Sequence, residues 1–203
     1  MPCTIPDQII RATISYHGHV CPGLSIGIRA AELALRDVGD PAVINMVAIA
    51  ETDMCGVDAI QFITGCTLGK GNFIHRDYGK MAFSFFNRDT GKGVRAVLDT
   101  TARNGLFTEY RDLTNKEAQG RITEQEREAI ADLRARLQQH LMRMDLDDLF
   151  NVTPVDKGLP RPPRVLESIP CARCGESTME SRTRRMGGET YCIPCFREID
   201  QKL

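Results

Sequence analysis

Apolar positions between Leu24 and Val38 recur at helical spacing: Leu24, Ile28, Ala31, Leu35 and Val38 share one face, and Arg29, Glu32 and Arg36 fall opposite. Pro22-Gly23 precedes this pattern and Gly39 follows it, which predicts a helix over 24–38. The run from Ala42 to Ala50, broken only by Asn45, predicts a buried strand. A shorter helix is expected over 57–64, stopped by Gly65, and the glycine-dense stretch 65–79 reads as a loop. Strands follow over 81–87 and 94–98, with a turn at Asp89-Thr90-Gly91. The polar stretch 104–120 shows no clear period. Thr123 and Glu126 form a capping box that opens a long helix over 124–142. Its narrow stripe of Ile130, Leu133, Leu137 and Met144 suits packing against a partner helix, in the same chain or a second one.

Between Asn151 and Pro170, five of twenty residues are proline and neither period is present, so this stretch reads as an extended linker. The chain therefore divides into an α+β core with a helical extension over 1–150, a linker over 151–170 and a small terminal module over 171–203. The core is expected to be a small mixed sheet packed with helices.

Composition narrows the possible partners. The formal net charge of −1 over 203 residues carries no basic footprint for nucleic acid. Arg182, Arg184 and Arg185 cluster, but Glu180 and Glu189 lie close by, and the group reads as a solvated face. Met1 to Ser15 lacks the charged-then-apolar pattern of a secretion signal, and no apolar run is long enough to span a bilayer. Eight cysteines, four of them in a metal pattern, point to a reducing compartment. A soluble, cytoplasmic protein is expected.

Those four are Cys171-Ala-Arg-Cys174 and Cys192-Ile-Pro-Cys195. Each pair puts two thiolates on one tight turn, and two such knuckles supply the tetrahedral sulfur shell that Zn²⁺ prefers. Gly187-Gly188 between them suggests a hairpin. The pattern predicts a zinc ribbon or treble-clef finger. With all four positions filled by protein, its zinc is structural.

A second cluster lies near the N-terminus in His17-Gly-His19-Val-Cys21-Pro-Gly23. On an extended segment His17, His19 and Cys21 would share one side. Cys21 also precedes a predicted helix start, where free N–H groups favour a thiolate. Cys55 holds the matching place before the next helix, with the carboxylates Glu51 and Asp53 just ahead of it. Taken singly, Cys21, Cys55 and Cys66 would be ordinary small apolar residues, and His75 a surface histidine. Grouped as they are, the donors suit a metal, or nucleophilic chemistry with Cys21 as nucleophile, His17 or His19 as base and Glu51 or Asp53 as acid. The glycine-rich run 65–72 misses the Walker spacing, although Lys70 and Lys80 could meet an anion there.

His17 to Gly23, Glu51-Thr-Asp-Met-Cys-Gly-Val-Asp-Ala-Ile-Gln61, Gly65-Cys-Thr-Leu-Gly-Lys-Gly-Asn72 and Asp77-Tyr-Gly-Lys80 together resemble the FmdE family, named for a component of formylmethanofuran dehydrogenase. The resemblance covers about residues 8 to 100, and many members of that family carry a similar C-terminal finger. It implies a core akin to the catalytic-domain fold of glyceraldehyde-3-phosphate dehydrogenase and a homodimer. It also implies a metal-associated pocket at His17, His19, Cys21 and Cys55, holding a second divalent ion, Zn²⁺, Ni²⁺ or Fe²⁺. Association with a molybdopterin or related redox enzyme, whose subunits would be partners, is implied as well. His75 stands where many relatives have an apolar residue, so it and Cys66 are further candidates for the pocket. The functional expectation is a metal-binding accessory protein. The alternatives are a stand-alone enzyme and a zinc-finger interaction module.

Overall fold

The structure is a computed structural model that describes residues 2–200. It divides into two units, Met1–Pro162 and Pro163–Leu203. The first is built on a five-stranded mixed sheet with helices, the α+β class expected.

Helix α1 (Asp7–His17) is not predicted by the sequence pattern. It forms because Ile10 and Ile14, one turn apart, pack against Leu24, Ile28 and Ala59. Helix α2 (Pro22–Asp37) is buried along most of its length, including Arg29 and Glu32 on the face expected to be polar. The Arg29 guanidinium donates to the carbonyls of Met142 (2.7 Å) and Met144 (2.6 Å), and Glu32 accepts from the Thr4 amide and hydroxyl at 2.7 Å each. A buried arginine here satisfies carbonyls at the end of a neighbouring helix that have no partner within it.

Strand β1 spans only Met46–Ala50, all buried. The first half of the expected strand is a turn that leaves Val43 exposed. After α3 (Gly56–Thr64) the expected loop contains a short strand, β2 (Phe73–His75), which pairs in parallel with β1. Strands β3 (Ala82–Asn87) and β4 (Gly93–Leu98) follow as predicted and pair antiparallel. The polar stretch without a clear period forms helix α4 (Asn104–Ala118). Its Leu106, Phe107 and Tyr110 lie against the main core, so burial overrides a weak sequence period. Helix α5 (Glu124–Arg143) opens on the predicted capping box. Its stripe is covered within the same chain, where α5 packs on α2 and α4: Ile130, Leu133 and Leu137 are buried, and Leu141 rather than Met144 is the fourth buried position, because Met144 lies just past the helix end.

The one-turn helix α6 (Leu146–Leu149) leads into β5 (Phe150–Val155), which closes the sheet in the order β2-β1-β3-β4-β5. Half of the expected linker thus belongs to the core. One sheet face, with Ala48, Phe83, Phe85 and Leu98, meets the helices. The other carries Val47, Ile49 and Phe86, and Leu159 packs over them while the Arg88 guanidinium donates to the Pro160 carbonyl at 2.7 Å. Apolar side chains on both faces require covers on both, and the chain after β5 supplies the second. Among the described residues no helix is long and apolar enough to cross a membrane.

The second unit has two small hairpins, β6 (Ser168–Pro170) with β7 (Ser177–Met179) and β8 (Thr183–Met186) with β9 (Glu189–Cys192), followed by α7 (Ile193–Ile199). Gly187 (φ 62°) and Gly188 (φ 89°) make the β8–β9 turn, whose left-handed backbone is cheap only for glycine.

Candidate metal centre

The core site is assembled where the N-termini of α2 and α3 cross. Gly23 and Gly27, one turn apart on α2, face Gly56, the first residue of α3. A Cβ on Gly56 would stand 3.0 Å from the Gly23 carbonyl oxygen, and one on Gly27 would run into the Gly56 backbone. Glycine at all three positions lets the helix starts touch. The residues just ahead of those starts, Cys21 and Cys55, are thereby brought together.

His17 and His19 arrive from α1, by a route other than the one expected. His17 is the last residue of α1, and Gly18 at φ 90° ends the helix with its N–H on the Ile14 carbonyl. A helix end and a left-handed turn, rather than strand alternation, bring the two rings together at a centroid distance of 4.4 Å. One ligand atom from each of His17, His19, Cys21 and Cys55 lies within 4.8 Å of the others. Cys21 Sγ is 3.9 Å from His17 Nε2. Tetrahedral bonds of about 2.0–2.3 Å imply ligand separations of roughly 3.3–3.8 Å, so the donors are set close to the spacing one ion requires.

The surroundings suit that chemistry. The Leu24 amide donates to Cys21 Sγ at 3.3 Å, a contact that favours the thiolate. His17 Nδ1 lies 2.7 Å from Asp58 Oδ2, which orients the ring with Nε2 toward the cluster. Without an ion, burial followed by the neighbouring Cys21 thiol raises the pKa of Cys55. The site is half-buried, with His19 its exposed member. Behind the thiols opens a cavity of about 380 Å³.

Asp58 is not among the donors read from the sequence. Its signal there is faint: a carboxylate three residues after Cys55 in the first turn of a helix. Other candidates are engaged elsewhere. Glu51 is buried and accepts from Arg95 through both oxygens, at 2.7 and 2.8 Å, which lowers its pKa and makes it a poor proton donor. Asp53 is exposed. Cys66 is fully buried with its thiol 3.4 Å from the Met46 carbonyl, and burial raises its pKa. His75 lies at the exposed end of β2, and neither it nor Cys66 belongs to the four-donor group. In the glycine-rich run, the Thr67 amide is taken by Asn72 and the Lys70 amide by Thr67, so these N–H groups close the loop on itself.

In the second unit Cys171 and Cys174 form a knuckle after β6, while Cys192 and Cys195 flank the start of α7. This is the treble-clef arrangement, in which a helix rather than a second ribbon carries the later pair. The four sulfurs lie within 4.8 Å of one another, with Cys174 and Cys192 at 3.9 Å, which fits a C4 zinc site. The Cys192 amide donates to Cys171 Sγ at 3.3 Å. Such backbone N–H groups, chiefly those of Cys174 and Cys192, bring the Cys171 thiol down to about 6.

Comparison with known proteins agrees with both units. The family model described as "FmdE, Molybdenum formylmethanofuran dehydrogenase operon" matches residues 16–151, and the one described as "Prokaryotic dksA/traR C4-type zinc finger" matches residues 166–201. A probable S-adenosyl-L-methionine-binding protein of Archaeoglobus fulgidus is 28% identical over 189 residues, 89% of this chain and 50% of that protein. The chain thus spans about half the length of that curated relative. In fold it is similar to the crystal structure of a tungsten formylmethanofuran dehydrogenase FmdE-like protein from Syntrophus aciditrophicus. The TM-score is 0.65 over 98% of each chain, at 24% identity. With two thirds of its length matched by the family model and the cysteine finger behind it, the chain belongs to the FmdE family as a member with a C-terminal C4 zinc finger.

Proposed function

We propose that the core binds a divalent ion through His17, His19, Cys21 and Cys55, and that the protein is a metal-handling accessory component of a molybdopterin or related redox enzyme system. The observation that carries the metal reading is the gathering of two imidazoles and two thiols within 4.8 Å at two helix N-termini. Two neutral nitrogens and two thiolates make a borderline-soft set suited to Zn²⁺, Ni²⁺ or Fe²⁺, and two thiolates neutralise a divalent charge. The link to a redox enzyme is supported by the family's description and by the name of the Syntrophus protein. Such cysteine-rich sites persist in a reducing compartment, so a cytoplasmic setting goes with this reading.

Metal analysis of the full chain tests it. Protein purified without chelators should carry about two ions per chain, and Cys21→Ser/Cys55→Ser about one, held by the finger. Equal content in the two proteins would refute the core site.

A second reading is a stand-alone enzyme with Cys21 as nucleophile. It is favoured by the Leu24 N–H on Cys21 Sγ and by His17 Nε2 beside it. Alkylation separates the two: a ligated Cys21 resists iodoacetamide until metal is stripped, and a nucleophilic Cys21 is labelled in the intact protein. An interaction role for the finger, the third reading, leans on the dksA/traR-type match alone. The homodimer likewise rests on family likeness, because the α5 stripe is already covered within one chain. Sedimentation at micromolar concentration decides that point.

A further inference from the structure

The four core donors are not held alike. His17 ends α1 with its side chain only 9% exposed, and Asp58 fixes its Nδ1 at 2.7 Å. Cys21 takes the Leu24 amide on its sulfur and the Ser25 amide on its carbonyl. Cys55 is wedged at the helix crossing, where a Cβ on Gly23 would stand 3.3 Å from the Cys55 Cβ, and its carbonyl accepts the Asp58 amide at 3.2 Å. His19 has no such support. It is the exposed member of the group, and among the described residues no hydrogen bond reaches its ring or its backbone. Its ring rests against that of His17. The link it sits on is equally unpacked: a Cβ on Gly18 would have nothing within 4 Å, and Val20 is 44% exposed.

A metal-bound histidine is ordinarily oriented by a partner on its second ring nitrogen, as Asp58 orients His17. For the exposed ring of His19 solvent takes that place. Turning His19 about its own χ1 therefore breaks no protein hydrogen bond and carries the imidazole into water, where both nitrogens are hydrated. Releasing the others costs more. His17 would have to abandon Asp58 and Cys21 the Leu24 amide, while Cys55 has the start of α2 against its Cβ. Residues 18–20 link two helices, so a released His19 stays within reach of its former position.

We infer that His19 is the exchangeable ligand of the core site: His17, Cys21 and Cys55 form a fixed three-donor seat, and His19 closes its solvent side and gives way to an incoming nitrogen or sulfur donor. When an imidazole enters, one metal–nitrogen bond forms as the His19 bond breaks, and no charge changes. When a thiol enters, its sulfur binds as thiolate and its proton passes to the freed His19 nitrogen. No electrons move in either exchange. The inference rests on the metal reading above and adds which of the four bonds opens.

Cobalt(II) absorption of the full chain tests this, with the Cys21→Ser/Cys55→Ser spectrum subtracted to remove the finger's ion. His19→Ala should keep core cobalt with an altered band, and free imidazole should restore the parent band. His17→Ala should hold core cobalt at least about tenfold more weakly than His19→Ala, because it removes the ring that has an orienting partner. In the unaltered protein, the rate at which 4-(2-pyridylazo)resorcinol strips core cobalt should rise in proportion to the reagent, as an entering donor requires. Loss of core cobalt from His19→Ala as complete as from His17→Ala overturns the inference, and so does a His19→Ala band identical to the parent's. A stripping rate independent of reagent concentration overturns it too, and that measurement decides alone if His17→Ala fails to fold. Failure of the metal reading looks different: the parent itself would show no core band, and the inference would fall with it.

Discussion

Gly27→Ala is the most direct test of how the core site is built. The added Cβ would meet the Gly56 backbone at less than contact distance, and those atoms belong to the first turn of α3, where no flexible side chain can swing aside. Ordinary contact begins at 3.4 Å, so α3 has to retreat from α2 by about one ångström. Overpacking of this kind costs about 1–3 kcal/mol, and the better helix propensity of alanine returns about 1 kcal/mol. A net loss of up to about 2 kcal/mol follows, or up to about 8 °C in Tm for a chain of this size. Metal is more sensitive than stability. Cys55 rides on the helix that moves and Cys21 on the one that stays, while metal–ligand bonds tolerate only about ±0.2 Å. Thermal melts by circular dichroism and metal content on the same preparations read both effects. Gly105→Ala is the control, since a Cβ there meets open space within α4 and should leave both unchanged or slightly improved. A Gly27→Ala protein that melts no lower than the parent and keeps its full metal content would refute the glycine-crossing account.

Three further outcomes follow from the same geometry. Asp58→Ala removes the carboxylate on His17 Nδ1 and should weaken core metal binding about 10–100-fold in a chelator competition, leaving the finger's ion in place; an unchanged affinity would reduce Asp58 to a surface contact. Cys192→Ser should make residues 163–200 protease-sensitive while the core melts as before, because structural zinc contributes on the order of 10 kcal/mol to a unit too small for a core of its own; native zinc with a resistant tail would count against it. Glu51→Gln should lower stability at neutral pH by about 1–3 kcal/mol by removing the charge-assisted pair with Arg95. Arg95 lowers the folded pKa of Glu51, so the pair's contribution is complete above the ordinary carboxylate value and disappears as pH falls through the lowered one. Parent and variant should therefore converge in acid, and a constant gap in urea midpoints from pH 7 down to pH 2 would disprove the assignment.

Features legible in the amino-acid order are those settled within a few residues. Cys171-x-x-Cys174, Cys192-x-x-Cys195, the Gly187-Gly188 turn and the Thr123–Glu126 capping box each have their partners close by, and each stands where the sequence puts it. The donor types at 17, 19 and 21 are legible for the same reason, although the extended backbone inferred for them is not what forms: Ile10 and Ile14 make that segment helical by packing on residues of α2 and α3. The narrow stripe of α5 announces a partner, and only the assembled chain shows α2 and α4 filling that place.

What tertiary structure alone decided lies further apart along the chain. Asp58 reaches His17 across 41 positions, Glu51 reaches Arg95 across 44, and Arg29 reaches the carbonyls at the end of α5 across more than a hundred. Charge by itself places all of these on the surface, since unpaired charges are rarely buried. The partners that make burial tolerable come from other elements, and which elements meet depends on fits such as Gly27 against Gly56. A local pattern specifies which donors are present, because side-chain chemistry travels with the residue. Convergence on one point is a property of packing, because it requires two helix starts to approach more closely than any side chain at their crossing would permit.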